Sequence, residues 1–441
     1  MAGNCEDVND GFESYKQDTR IPCKYGVKCF QKNPTHHKKY KHPPKRRPDD
    51  HHGLQQNKRH KADKHNIVKQ SQDEVAAHSS SDQPSGGENE KKEQQSMSSV
   101  EVETAHTPQA RIIREDDSSE MDDKGSSSPC DVKEFIKQKF LVEMPEDFYE
   151  FWLFCEHLSN NKPQEALCPV GLTLVGPFDV LCGNLGPGSK YKKSEYLRHW
   201  RYYYDPPEFQ TVIKGDEKKL FHIGYFRDDP KEAPCFVASN CAAVDCLIKP
   251  MAENLFGAVN SYLEEYRSKA DPFQKMKVSR IQSSLQEWAT NHKITLDLNT
   301  PQMKARSRKT VCKTFHQAGM VVPYDKKTEL GYRSLIESER TLKKLLEKVV
   351  TATTDEERDA HLGKLQEIIT AANIATDECD FGTGLELAVA LFCFGGDVFH
   401  NTIRQLAGTA YGLLGREDFA TILEAHLEDR RKGSDLSLLK K

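Results

Sequence analysis

From residue 41 to residue 132 the chain has no Phe, Trp or Tyr. The stretch is dense in Ser, Gln, Glu, Lys, Asp and His, and it lacks the apolar area that would offset the entropy of ordering. Residues 45–130 are therefore expected to be a disordered linker. The chain also lacks an apolar run after Met1, so no signal peptide is expected. No window approaches the roughly 18 uninterrupted apolar residues of a membrane helix. Nor is there an excess of charge of one sign: the net charge is -4, which gives the chain as a whole no case for nucleic-acid binding. The thirteen cysteines are scattered and odd in number. In an intracellular chain most are expected to be buried, reduced thiols.

Charge is nevertheless uneven. Between Lys38 and His65 stand ten Lys or Arg against three Asp. This is read as a solvated linker, a nuclear-import segment or a salt-sensitive polyanion contact.

Ordered sequence restarts near Asp131. A helix is expected over residues 131–140. A second is expected from Pro145, with acids in its first turn and Phe148, Phe151, Trp152, Cys155 and Leu158 on one core-facing side. From Leu172 to about Pro250 short apolar runs are punctuated by Gly, Pro and Asp: residues 172–175, 211–213, 222–226 and 235–238 read as strands. The aromatic run from His199 to Phe209 reads as a packed corner or as a platform for a base or ribose. Residues 254–289 read as helical, and Lys304 to Lys313 is a basic run leading into a strand or extended loop. Near the C-terminus a capping box at Thr354 and Glu357 opens a helix to about Ala375. Further helices are expected at about 385–394, 397–414 and 416–432. The fold class is thus α+β, with a sheet-bearing N-terminal half and a helical C-terminal half of one globular region, preceded by a small finger and the linker. Residues 18–44, 45–130 and 131–432 are the expected divisions.

Two motifs carry chemistry. Cys23, Cys29, His36 and His42 follow the pattern C-x5-C-x6-H-x5-H. Two thiolates and two imidazoles form the usual closed set for a structural Zn²⁺, which would provide most of the folding free energy of so short a segment. His37 competes with His36 as a ligand. The central gap is too short for the recognition helix of a DNA-reading finger, so direct sequence-specific DNA binding is not expected. The second motif is the acidic turn Asp377-Glu378-Cys379-Asp380, expected between two helices. Its acids can complement the following helix dipole. Three carboxylates on one turn also repel one another, which is tolerated mainly where a cation or partner uses them. Gly382 and Gly384 nearby let the backbone approach another surface closely. A lone carboxylate is an incomplete active site but a good general base for a serine hydroxyl.

The segment RIPCKYGVKCFQKNPTH…HP, from Arg20 to Pro43, resembles the poly(ADP-ribose)-binding zinc finger. The resemblance implies that Tyr25 and Phe30 stack on adenine while Arg20 and other basic groups meet phosphates. Gln31 stands where the family usually has Arg, and Phe30 lacks a Tyr hydroxyl. Residues 131–430 resemble the histone PARylation factor 1 family through separate blocks in the same order: MPEDFY from Met144, LVGPFD from Leu174, HWRYYYDPPEFQT from His199, GYFRD from Gly224, KTFHQAGMVVP from Lys313, GYR ending at Arg333, and DECDFGTGLEL from Asp377. That resemblance implies that Glu378 completes the active site of a DNA-damage-activated poly(ADP-ribose) polymerase as general base for serine modification. It places Asp377, Cys379 and Asp380 in a docking loop, with Tyr332 and Arg333 close by. It further implies that NAD⁺ is bound by the polymerase and not by this chain, that this chain has no stand-alone activity, and that short modifications are favoured. Histones and poly(ADP-ribose) are the further implied partners, and chromatin in the nucleus the implied place. Against this stand a non-catalytic poly(ADP-ribose)-reading adapter, in which Glu378 is structural, and a free-standing ADP-ribose hydrolase, for which the sequence offers no nucleophile–base pair.

Overall fold

The computed structural model describes residues 17–23, 34–42 and 129–439. Tyr25, Cys29 and Phe30 lie outside them, as does the expected linker apart from Pro129 and Cys130, which already belong to the first helix of the second unit. The chain divides into two compact units, Met1–Asp123 and Lys124–Lys441.

In the first unit β1 (Ile21–Pro22) pairs in parallel with β2 (Tyr40–Lys41), and α1 (Pro34–Lys39) precedes β2. The Cys23 N–H donates to the Lys41 carbonyl at 2.9 Å, which carries the ladder one residue further and sets Cys23 beside His42.

The second unit is α+β, as its sequence texture requires. It opens with α2 (Pro129–Phe140) and α3 (Glu146–Leu158), then α4 (Phe178–Leu181) and α5 (Lys193–Arg198). Pro145 is the N-cap of α3, and Glu146 and Asp147 stand in its first turn. The expected face of α3 is buried at Phe148, Phe151, Trp152 and Cys155. Each such side chain contributes on the order of 1.5–3 kcal/mol when withdrawn from water. Asp147, on the same helix, accepts the Tyr225 hydroxyl at 2.7 Å and the Leu255 N–H at 2.8 Å. It thereby ties α3 both to the sheet and to the start of the next long helix, at the cost of a carboxyl whose pKa burial pushes up.

The sheet is antiparallel in the order β3 (Thr173–Leu174), β4 (Phe209–Lys214), β5 (Phe221–Phe226), β6 (Phe236–Cys241) and β7 (Lys249–Ala252). The last strand carries Pro250 and was not among those expected; Pro belongs at a sheet edge, where no ladder N–H is needed. The aromatic run before β4 is a packed corner: Trp200, Tyr202, Tyr203 and Phe209 are buried, and Tyr202 stacks on His222 with ring centroids 3.8 Å apart.

The helical span expected over residues 254–289 is two helices, α6 (Leu255–Lys269) and α7 (Pro272–Asn291). Asp271 breaks it by accepting from the N–H groups of Phe273 and Gln274 at 2.9 and 3.0 Å, with Pro272 at the first helical position. A short basic helix, α8 (Pro301–Lys309), precedes an irregular segment bridged at Cys312 and Met320.

The C-terminal half is α9 (Glu339–Thr351), α10 (Asp355–Asp377), α11 (Phe381–Phe394), α12 (His400–Leu413) and α13 (Glu417–Glu428), each packed on the next. Thr354 caps α10, but the reciprocal Glu357 carboxylate takes the N–H of Thr353 rather than that of Thr354. One hydrophobic core spans both halves, from Phe148, Phe256 and Ile223 to Leu391, Leu406 and Ile422. No helix among the described residues is long and apolar enough to cross a membrane.

Candidate functional site: an acidic turn held by an arginine

The break between α10 and α11 is shorter than the sequence suggests. Phe381, Gly382, Thr383 and Gly384, expected in the loop, already belong to α11. What remains is one turn of Glu378, Cys379 and Asp380. Its backbone forms a Schellman closure: the Asp380 N–H donates to the Ala375 carbonyl at 2.8 Å and the Cys379 N–H to the Thr376 carbonyl at 2.9 Å. The left-handed position of that motif normally falls to Gly. Here it is Cys379, at φ 68°. The reversal leaves Asp377 and Cys379 exposed and Glu378 partly exposed, while Asp380 turns inward.

Asp380 is the N-cap residue of α11 but makes no side-chain capping hydrogen bond to it. Its carboxylate accepts instead the N–H of Gly331 at 3.0 Å, from a distant segment. Burial pushes its pKa up, opposed by the Gly331 hydrogen bond and by Arg333.

Arg333 is the cation that pairs with two of the three carboxylates. It stands 2.7 Å from Glu378 Oε2 through Nη2 and 3.4 Å from Asp380 Oδ2 through Nε. Its backbone is clamped by Thr383, whose hydroxyl donates to the Arg333 carbonyl at 2.7 Å and accepts the Arg333 N–H at 3.1 Å. The Gly382 N–H donates to the Gly331 carbonyl at 3.0 Å. This close approach needs both glycines. A Cβ on Gly382 would stand 2.8 Å from Val322 Cγ2, and Gly331 has φ +110° with its Cβ position 2.0 Å from the Pro323 carbonyl oxygen.

Tyr332 donates its hydroxyl to Glu386 Oε2 at 3.0 Å. Burial raises the pKa of both groups. Cys312 lies against the same pair, and burial pushes its thiol up to about 12. Tyr332 and Glu386 line a cleft of about 320 Å³ together with Lys313, Phe315, Leu335 and Leu342. The structure thus gathers Arg333, Glu378 and Asp380, leaves Asp377 and Cys379 on the surface beside them, and pairs Tyr332 with Glu386. Sequence alone does not single out Thr383 or Glu386. Glu386 carried a signal, being the one charged residue in the apolar run 385–394.

In the finger unit the ligand atoms of Cys23, His36 and His42 lie within 4.8 Å of one another. His36 Nε2 and His42 Nε2 are 3.1 Å apart. Two metal–nitrogen bonds of roughly 2.0–2.1 Å at a tetrahedral angle would set such atoms roughly 3.3 Å apart. A buried thiol and two imidazoles aimed at one point fit a Cys/His metal site, and the cluster takes His36 rather than His37. The fourth expected ligand, Cys29, lies outside the described residues. Arg20 is exposed; it pairs with Asp18 at 2.6 Å, holding that carboxyl down at about 2, and also donates to the His37 carbonyl.

Comparison with known proteins finds two family matches along the chain. The family model for the PBZ domain matches residues 20–45, and that for histone PARylation factor 1 matches residues 131–430. Curated relatives include histone PARylation factor 1 of Bos taurus, 42% identical over 304 residues, which are 68% of this chain and 88% of the relative. The Mus musculus protein of that name is 43% identical over 302 residues (68% and 87%), and the Danio rerio one 42% over 315 residues (70% and 88%). A Cys/His finger unit followed by a body built around an arginine-held acidic turn is therefore a member of the histone PARylation factor 1 family.

Proposed function

We propose that this chain docks on a DNA-damage-activated poly(ADP-ribose) polymerase and supplies Glu378 as the general base of a joint active site. NAD⁺ is then the polymerase's substrate. The serine Oγ of a histone or another chromatin protein attacks the ribose carbon bearing nicotinamide; the bond to nicotinamide breaks as the Oγ–carbon bond forms, and the serine proton passes to Glu378. Asp377 and Cys379, exposed on either side, and Asp380 within the turn form the docking surface. Arg333 fixes the carboxylate and Tyr332 fixes the strap behind it. Because this surface fills the mouth of the partner's site, short modifications are favoured over long chains. The observation that carries this reading is a carboxylate set on a rigid helix–helix turn, oriented by a clamped arginine and partly open to solvent.

The finger, residues 18–44, holds Zn²⁺ through Cys23, Cys29, His36 and His42, where the metal orders the segment. Tyr25, Phe30 and Arg20 take poly(ADP-ribose). The body, residues 131–432, then works where that polymer accumulates, on chromatin in the nucleus.

A second reading has one observation in its favour: Glu378 already has a partner in Arg333, as a purely structural residue would. The chain would then be a non-catalytic adapter. Reconstitution with polymerase, damaged DNA, NAD⁺ and a histone-tail peptide separates the two. With Glu378→Gln the proposal expects polymerase binding to persist and serine modification to fall on the order of 10²–10⁴-fold, the worth of a positioned base. Normal serine modification by that variant would establish the adapter instead.

A further inference from the structure

The basic run preceding the site is not used by the function proposed above. Between Asp297 and Asp325 there is no Asp or Glu, while Lys304, Arg306, Arg308, Lys309 and Lys313 all fall there. Arg306 is consumed internally. It is buried, chelated by Asp228 at 2.7 and 3.0 Å, donates to the carbonyls of Ala318 and Gly319, and lies against the rings of Phe226 and Phe236. This anchors α8 rigidly on the sheet. The other four cations are exposed, and among the described residues none of them makes an ion pair.

A basic last turn is ordinary, since cations there complement the helix dipole. That accounts for Arg308 and Lys309. It does not account for Lys304, a like charge one turn before Arg308 on the same face, which costs a helix about 0.2–0.5 kcal/mol. Nor does it account for Lys313 beyond the helix, or for the missing carboxylates. A face that accumulates unpaired cations on a fixed support is matched to a row of fixed anions.

We propose that α8 and the segment to Lys313 form a docking surface for the phosphate backbone of duplex DNA. The alternative polyanion, poly(ADP-ribose), is disfavoured by the absence of aromatic residues from 298 to 313. Polymers with free bases are held by stacking platforms, whereas a duplex offers only phosphates to such a face. Lys313 also lines the cleft that holds Tyr332 and Glu386, so the basic face borders the candidate site. A body seated on DNA in this way brings Glu378 to DNA-bound substrates. The surface does not depend on the role given to Glu378.

The test uses the full chain with Cys23→Ala in every sample, so that the finger makes no contribution. Fluorescence anisotropy is read against a short undamaged duplex over a salt series, and against free poly(ADP-ribose). Relative to this parent, K304Q/R308Q/K309Q should bind duplex on the order of tenfold more weakly at low salt. The slope of log K against log salt should lose about 3, one per phosphate contact. Lys304→Arg with Lys309→Arg should bind as the parent does, and Lys304→Gln alone should lose about 1 in slope. Unchanged duplex affinity and slope in the triple variant would overturn the proposal. So would loss of poly(ADP-ribose) binding with duplex binding intact.

Discussion

Arg333 is the residue whose loss should be felt furthest from its own position. It carries two ion pairs of different kinds. The one to Glu378 is about one-third exposed on both sides, and the one to Asp380 reaches a carboxylate that is nearly buried. The first is worth little to stability because water screens it. The second keeps a charge compensated in a place where burial already disfavours it. Arg333→Ala is therefore expected to lower stability by about 1 kcal/mol in thermal unfolding, and polymerase affinity by tenfold or more in calorimetric titration. Arg333→Lys should restore little of either, since a single ammonium cannot span both carboxylates as a planar guanidinium does. Affinity equal to the parent's in both variants would remove Arg333 from the docking surface.

The acidic turn as an element shows why local sequence underdetermines a site. That carboxylates cluster at residues 377–380 was legible, and so was the need for a cation. Which cation was not legible from spacing, because Arg333 is brought in by a strap some fifty residues away through Gly331, Gly382 and Thr383. Strand and helix periodicities located four of the five body strands and the main helices. They missed β7, which has Pro at its edge, and they ran α6 and α7 together across a proline that begins a helix rather than merely ending one. They also placed the start of α11 too late, because Gly382 and Gly384 look like loop residues. In the structure, Gly382 is helical for the sake of packing.

Two substitutions in this turn should move stability in opposite directions. Cys379→Gly relieves a left-handed non-glycine residue at a Schellman position and should stabilise the body by about 1 kcal/mol. Gly382→Ala drives a methyl into Val322 and the Gly331 carbonyl and should destabilise it by about 1–3 kcal/mol. Denaturant unfolding of the two variants beside the parent checks both signs. A destabilised Cys379→Gly would mean that the thiol itself makes a contact worth more than the strain.

At the scale of the whole molecule, the finger and the body fall in separate compact units. The body has a continuous apolar core. The described part of the finger buries one side chain, Cys23, and gathers three metal-type ligands around it. Stripping metal with a chelator, or replacing His42 by Ala, should abolish poly(ADP-ribose) binding and the finger's dispersed NMR signals. The thermal midpoint of the body and serine modification of a free peptide should both be unchanged. A body that melts lower after chelation would show that the metal supports more than the finger.

Whether the Glu378 carboxylate reaches another protein's acceptor is decided by a structure of this chain with the polymerase, an unreactive NAD⁺ analogue and a serine peptide. Glu378 Oε should lie within hydrogen-bond reach of the serine Oγ, roughly 2.6–3.2 Å, with that Oγ in line with the ribose carbon. A complex in which Glu378 keeps Arg333 as its partner and faces water, far from the sugar, would contradict the proposal.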